Sequence, residues 1–249
     1  MLATPQIATD RHRHLAASVL IGMDGPFKLG ICGQPERSAE VAVVAPGMDQ
    51  QLDSLGAAIL VLHVDPDHAL YEHVAAHLNG ETVRTSTSRQ FLALRHRMRD
   101  ALTAPLGCVD ANQLFADILA CVRGDAPNRR ALDARIAHIA RRLRNAGPGK
   151  IDMAELARSV GLSESRLMHL FKQEMRVTIR FFAVCVRVQN AFAQAEPGAS
   201  LTDVAHCAGF YDLSHFMQTA RAYTGMSAST LKSMFSVRRC GCHDEGSPA

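Results

Sequence analysis

The feature that most constrains this chain is a short segment near its carboxyl end that is written twice. The first copy runs from Asp152 through Leu156-Ala157-Arg158-Ser159-Val160-Gly161-Leu162-Ser163 to Lys172. About 48 residues later Val204-Ala205 stands where Leu156-Ala157 stood, and Gly209-Phe210 where Gly161-Leu162 stood. Leu156, Ala157 and Val160 share one helical face, Gly161 permits a tight turn, and Ser163 is a suitable cap for a following helix. That next helix is expected to bury Leu167, Leu170 and Phe171 and to turn Arg166, His169 and Lys172 toward solvent. Its counterpart carries Ser214, His215, Phe216, Gln218 and Arg221. Core periodicity alone does not reproduce both the small-residue and the glycine positions, so the repetition marks a duplicated helix-turn-helix unit.

Between the copies, Ile179 to Ala195 reads as one apolar-periodic helix that would hold the units rigidly. A rigid spacer can set two recognition helices one turn of B-DNA apart, ~34 Å, so that one chain reads successive major grooves. Charge agrees with an anionic partner. The net charge is only +3, yet from Lys150 to Arg239 eleven basic residues face seven acidic ones, and from Arg89 to Arg144 eleven arginines face five aspartates. Such a distribution suits a phosphate-binding surface, although solvated helix faces are also often basic.

In this region the chain resembles the AraC/XylS family of bacterial transcription regulators. The resemblance rests on Leu156-Ala157 through Gly161-Leu162-Ser163, Leu167 to Lys172, Ile179-Arg180-Phe181-Phe182 and Val186-Arg187-Val188. It continues through Ser200-Leu201-Thr202-Asp203-Val204-Ala205, Gly209-Phe210-Tyr211-Asp212-Leu213-Ser214-His215-Phe216 and Tyr223-Thr224-Gly225-Met226-Ser227. It implies base and phosphate contacts from Ser165, Arg166, His169 and Lys172 in the first unit. In the second it implies Ser214, His215, Met217, Gln218 and Arg221. Arginine or histidine can donate to guanine, glutamine can pair with adenine, and Met217 can touch a thymine methyl. The chain departs from the family pattern at Arg176, where glycine is usual, at Gln218 for arginine, at Ala220 for phenylalanine and at Ala228 for proline. These departures point to a second unit that packs more loosely or binds less tightly, leaving specificity mainly to the first.

The length of 249 residues favours about two domains, each with its own core. Short apolar runs broken by turn residues, from Leu15 to Asp65, read as closely set strands of a sandwich or barrel. After Pro66 the spacing becomes helical over Asp67 to Leu78, Ser88 to Leu102, Asp110 to Val122 and Asn128 to Arg144. The expected fold class is α+β: a short cupin-like β-barrel, a helical linker, and an all-α domain with two helix-turn-helix units. The expected boundaries are 1–80, 81–147 and 148–237, with a flexible tail over 238–249. The resemblance implies a small-molecule effector in the β domain. His12-Xaa-His14 is similar to the first metal motif of cupin enzymes, but no glutamate follows at motif spacing and Gln50 stands where a histidine is usual. No cofactor or metal is therefore expected, and a cupin-type metal enzyme is the rival reading. Leu114, Ile118, Leu119, Ile136, Ile139 and Leu143 would pair with a second chain or pack within their own, and the resemblance favours a homodimer.

Seven scattered cysteines, odd in number, fit reduced buried thiols rather than a disulfide framework. No apolar stretch approaches the ~18 residues of a membrane span, so a cytoplasmic protein is expected. Cys240-Gly241-Cys242-His243 offers soft ligands for a metal or redox response, against the simpler reading of incidental cysteines in a tail. No nucleophile with a partnered base, phosphate loop or paired carboxylates stands out, so no enzymatic activity is expected. The expected partners are promoter DNA, a small effector and RNA polymerase.

Overall fold

The computed structural model describes residues 1–104, 106–123, 132–147, 149, 151–194 and 200–226. The Cys240, Cys242 and His243 group and Ala228 lie outside them. The amino-terminal half forms nine strands: β1 (Leu2–Thr4), β2 (His12–Arg13), β3 (Ala17–Gly22), β4 (Phe27–Ile31), β5 (Arg37–Ala39), β6 (Val41–Val44), β7 (Asp49–Asp53), β8 (Ile59–Val64) and β9 (Val83–Ser86). They make two antiparallel sheets, one ordered β1-β8-β3-β6-β9 and the other β2-β7-β4-β5. The sheets face each other as a sandwich rather than a closed barrel. β9 was not anticipated, because the sequence after Pro66 reads as helical. It pairs with β6 from Val41–Ser86 to Val44–Val83 and covers an edge that would otherwise be open.

The burial of each strand explains its composition. β4 alternates, with Phe27, Leu29 and Ile31 buried and Lys28 exposed, as a strand with one wet face should. β3 is buried throughout because both its faces are covered. Leu20 joins Phe27, Leu29, Ala42, Val44 and Leu52 between the sheets. Val19 and Ile21 point the other way into a second core, built with Val74, Phe91, Met98, Leu114 and Ile118. That core is the layer formed by α1 (Tyr71–Leu78), a 3₁₀ turn (Ser88–Leu94), α2 (Arg95–Thr103) and α3 (Cys108–Arg123).

The remaining helices are α4 (Ala134–Asn145), α5 (Met153–Ser159), α6 (Glu164–Met175), α7 (Ile179–Gln194), α8 (Leu201–Cys207) and α9 (Leu213–Thr224). They share a third core that also takes in Leu15 and Ala16 from the sandwich. Leu114, Ile118 and Leu119 are fully buried against the sheet, and Ile136, Ile139 and Leu143 in the helical core, so all six are covered within the chain. The thiol expectation fails in part. Cys185 is buried and free, with burial pushing its thiol up, but Cys32 and Cys207 are exposed and Cys108 is disulfide-bonded. Scattered spacing carries no information on which thiols tertiary packing covers or brings together. No helix among the described residues is long and apolar enough to cross a membrane.

The two halves are joined by polar contacts as well as by packing. Arg144, at the end of α4, reaches Asp65 at 2.8 Å and Asp67 at 2.7 Å, and its guanidinium lies 5.1 Å from the Phe182 ring centroid. Burial pushes the Asp65 carboxyl up while Arg144 opposes the shift. At the other end of the interface the Asp10 N–H donates to the Gly225 carbonyl at 2.8 Å. A Cβ on Gly225 would lie 2.3 Å from His12 Nδ1, and the residue has φ +69°, so both space and backbone require glycine there.

Candidate nucleic-acid interface

The two carboxyl-terminal units are built by the same local hydrogen bonds. In the first, the Asp152 carboxylate accepts from the Glu155 N–H and opens α5. The Leu162 N–H donates to the Ala157 carbonyl across the turn, with Gly161 at φ +66°. The Ser163 hydroxyl then accepts from the Arg166 N–H and opens α6. In the second, the Ser200 hydroxyl accepts from the Asp203 N–H, the Phe210 N–H donates to the Ala205 carbonyl, and Gly209 has φ +73°. The Asp212 carboxylate caps α9 by accepting from the His215 N–H at 2.7 Å. Each cap occupies donors that a helix start leaves unpaired.

One detail of register emerges only from the caps. Ala157 and Ala205 are 48 residues apart, but Ser163 and Asp212 are 49 apart, because Tyr211 is an extra residue ahead of α9. Ser165, Arg166, His169 and Lys172 therefore match Ser214, His215, Gln218 and Arg221 one for one. All eight are exposed. Met217 is half-buried against the helical core, whereas its counterpart Met168 is 50% exposed. Tyr211 is 89% exposed. Neither Met168 nor Tyr211 was expected at the interface. The signal for Met168 was its place between Arg166 and His169, and that for Tyr211 was the one-residue offset.

The units are braced from within by α7. Phe182 packs edge-on to Phe171 with ring centroids 5.4 Å apart, Phe192 meets Phe216 at 5.9 Å, and the Arg187 guanidinium lies 5.1 Å from the Phe210 centroid. The helix after the first turn ends at Arg176 with φ +63°, a left-handed conformation held by a non-glycine residue. The second unit is also tied to the β domain. Arg221 donates from Nη2 to Asp10 Oδ2 at 2.5 Å and from Nε to the same oxygen at 3.0 Å.

A cavity of about 860 Å³ lies where the sandwich meets α7 and α9. Its polar lining includes His12, His14 and His63 with Gln50, Gln189 and Tyr223. His12 and Gln50 are direct partners across β2 and β7. Burial holds His12 and His14 below the ordinary histidine range, outweighing for His12 the bond to the Asp10 carbonyl and the charge of Asp49. His63, an exposed residue, also lines the cavity, and desolvation together with the positive charge of the amino terminus takes its pKa down to about 3. Gln189 donates to the Tyr223 hydroxyl at 2.7 Å, which ties α7 to α9 beside the cavity. Among the described residues no group of three or more His, Cys, Asp or Glu side chains is placed to hold a metal ion.

Residues 156–234 match a family model described as a helix-turn-helix domain, a span that takes in both turns and both exposed helices. The carboxyl-terminal part of this chain is a helix-turn-helix domain. Together with the β domain, this helix-turn-helix domain is similar in fold to ToxT from Vibrio cholerae O395. The TM-score is 0.60 at 10% identity, over 93% of this chain and 94% of that one. An apo ToxT variant from Vibrio cholerae strain SCE256 gives 0.65 at 12% identity, over 92% and 93%. The unsaturated fatty acid bound wild-type ToxT of that strain gives 0.60 at 12% identity, over 93% and 91%. At these identities the likeness concerns the fold. No curated protein matches the chain.

Proposed function

We propose that this chain is a sequence-specific DNA-binding transcription regulator of the AraC/XylS type. The observation that carries the reading is the one-for-one match of two exposed polar faces, Ser165, Arg166, His169 and Lys172 with Ser214, His215, Gln218 and Arg221, on helices opened by equivalent caps. Arg166 and His215 sit at the amino-terminal ends of their helices, the ends that approach base edges when such a helix enters the major groove. Met168 and Tyr211 extend these faces with apolar contacts. Met217 contributes less than its counterpart, because part of its side chain is taken up by the core.

Binding is regulated through the β domain by a small molecule held in the cavity beside α9. The cavity supports this reading because its wall includes Tyr223, Thr224 and Met226 at the end of the second recognition helix, so an occupant would touch the DNA-reading element directly. ToxT, which shares the fold, has been solved with an unsaturated fatty acid bound. Footprinting of the full chain on the DNA upstream of its own gene and neighbouring promoters tests the reading. Protection of two segments about one helical turn, 10–10.5 bp, apart is expected. Only uniform, sequence-independent protection would overturn it.

A further inference from the structure

Of the seven cysteines, Cys32, Cys121, Cys185 and Cys207 are free thiols. Cys108, the first residue of α3, is partly exposed and disulfide-bonded. Elimination leaves only Cys240 and Cys242, which lie outside the described residues, as its partner within the chain. The start of α3 is close to the second recognition helix. Leu106 and Ala111, on either side of Cys108 in the sequence, line the same cavity as Thr224 and Met226 at the end of α9. Cys240 follows Met226 by fourteen residues. A chain of that length can span up to ~46–50 Å, well beyond the breadth of a cavity of about 860 Å³. The same end of α9 already rests on the β domain, through the bond from the Asp10 N–H to the Gly225 carbonyl and through the Arg221–Asp10 pair. A disulfide from α3 to the segment after α9 would make covalent what these weak contacts hold reversibly.

We infer that Cys108 and either Cys240 or Cys242 form a redox-sensitive staple that fastens the second recognition helix to the β domain when oxidised and frees it when reduced. The inference rests on the DNA-binding reading and adds its regulation. A regulator that works on DNA meets a thiol-reducing medium, where a disulfide persists only while an oxidant is present, so the bond is a signal and not a permanent brace. With hydrogen peroxide as the oxidant, one thiolate attacks a peroxide oxygen and becomes a sulfenic acid, and the hydroxide that leaves takes up a proton to give water. The second thiol then attacks the sulfenic sulfur, the S–S bond forms and a second water departs. Two electrons pass from the two sulfurs to the two peroxide oxygens. An added dithiol reverses the step by exchange and is itself left as the disulfide. In the oxidised form Arg221 stays on Asp10, and the operator is held through the first unit.

The test treats the full-length protein with hydrogen peroxide or with dithiothreitol, blocks free thiols and digests with trypsin without further reduction. After peroxide, peptide 100–123, which carries Cys108, is expected to be linked to peptide 240–249, and after dithiothreitol the two should be separate. Fragment ions distinguish Cys108 from Cys121 in the same peptide. In fluorescence anisotropy with labelled DNA from upstream of its own gene, the reduced protein is expected to bind about fivefold tighter, the gain from freeing an exposed ion pair. Cys108→Ser is expected to bind as the reduced protein does after either treatment. Absence of the link after peroxide, or a link to Cys32, Cys121, Cys185 or Cys207 in its place, overturns the staple and leaves the DNA-binding reading standing. A redox change in affinity that persists in Cys108→Ser also overturns it, since other thiols then carry the response. Equal affinity of the linked and reduced forms overturns the release of α9. If neither form distinguishes this DNA from an unrelated sequence, the DNA-binding reading falls and the regulation falls with it, whatever the peptide map shows.

Discussion

Asp10 holds an arginine that the DNA-binding reading assigns to phosphate, and the consequence can be measured. Arg221 and Asp10 meet through two hydrogen bonds at 2.5 and 3.0 Å, with side chains 61% and 54% exposed. An exposed pair of this kind contributes about 0.2–1 kcal/mol. If Arg221 must leave Asp10 to reach DNA, Asp10→Asn removes that cost and strengthens operator binding by up to about fivefold, the ratio equivalent to 1 kcal/mol. Fluorescence anisotropy with a labelled operator, run from roughly 50 to 200 mM salt, reads this directly, since both the pair and the phosphate contacts are screened. The control is the same substitution in an Arg221→Ala background, where it should have no effect. A gain that persists without Arg221 would mean that Asp10 acts only by adding negative charge near DNA. Unchanged or weaker binding in the single variant would refute a latch of any kind.

Three further outcomes follow from the same geometry. His169→Ala is expected to relax base discrimination by about 1–3 kcal/mol at its position and Gln218→Ala by less, because the second unit is held at Arg221 and Met217 is half-buried against the core; equal losses in a binding-site selection would contradict this. Arg176→Gly should stabilise the protein by about 1 kcal/mol and raise Tm by about 2–4 °C, as it relieves a left-handed backbone at a non-glycine residue; calorimetry showing no rise would count against strain there. Stability should also fall with pH below the ordinary histidine value of 6.5. His12 and His14 resist protonation when folded and accept it when unfolded, so the unfolded chain binds more protons and each such histidine adds a slope of about 1.4 kcal/mol per pH unit. Guanidinium chloride midpoints at about pH 7.5 and about pH 5.5 check this, and His14→Gln should flatten the difference. Identical midpoints for the unmodified protein would show that these rings are not held neutral.

The helix-turn-helix units were readable from sequence because their determinants are local. Gly161 and Gly209 set the turns, Ser163 and Asp212 open the second helices, and Leu167, Phe171 and Phe216 fix the inward faces within a few residues of one another. The same holds for β4, whose alternation is a property of five consecutive residues. Where partners are distant in the chain, the pattern was silent. β9 carries only Val83 as a buried residue and is a strand because β6 offers it an edge. Leu114 and Ile118 are apolar at helical spacing whether they meet a second chain or the sheet, and only the packed structure places them on Val19 and Ile21.

Sequence by itself thus determined the two recognition units and the polar residues they display, since backbone geometry, capping and periodicity act over a turn or two. Tertiary structure alone decided that Asp10 reaches Arg221 across 211 residues, that Gly225 lets α9 lie against His12, and that three neutral histidines gather at a cavity ending on that helix. Those contacts depend on distances between surfaces far apart in the chain, and no local pattern records how they will meet.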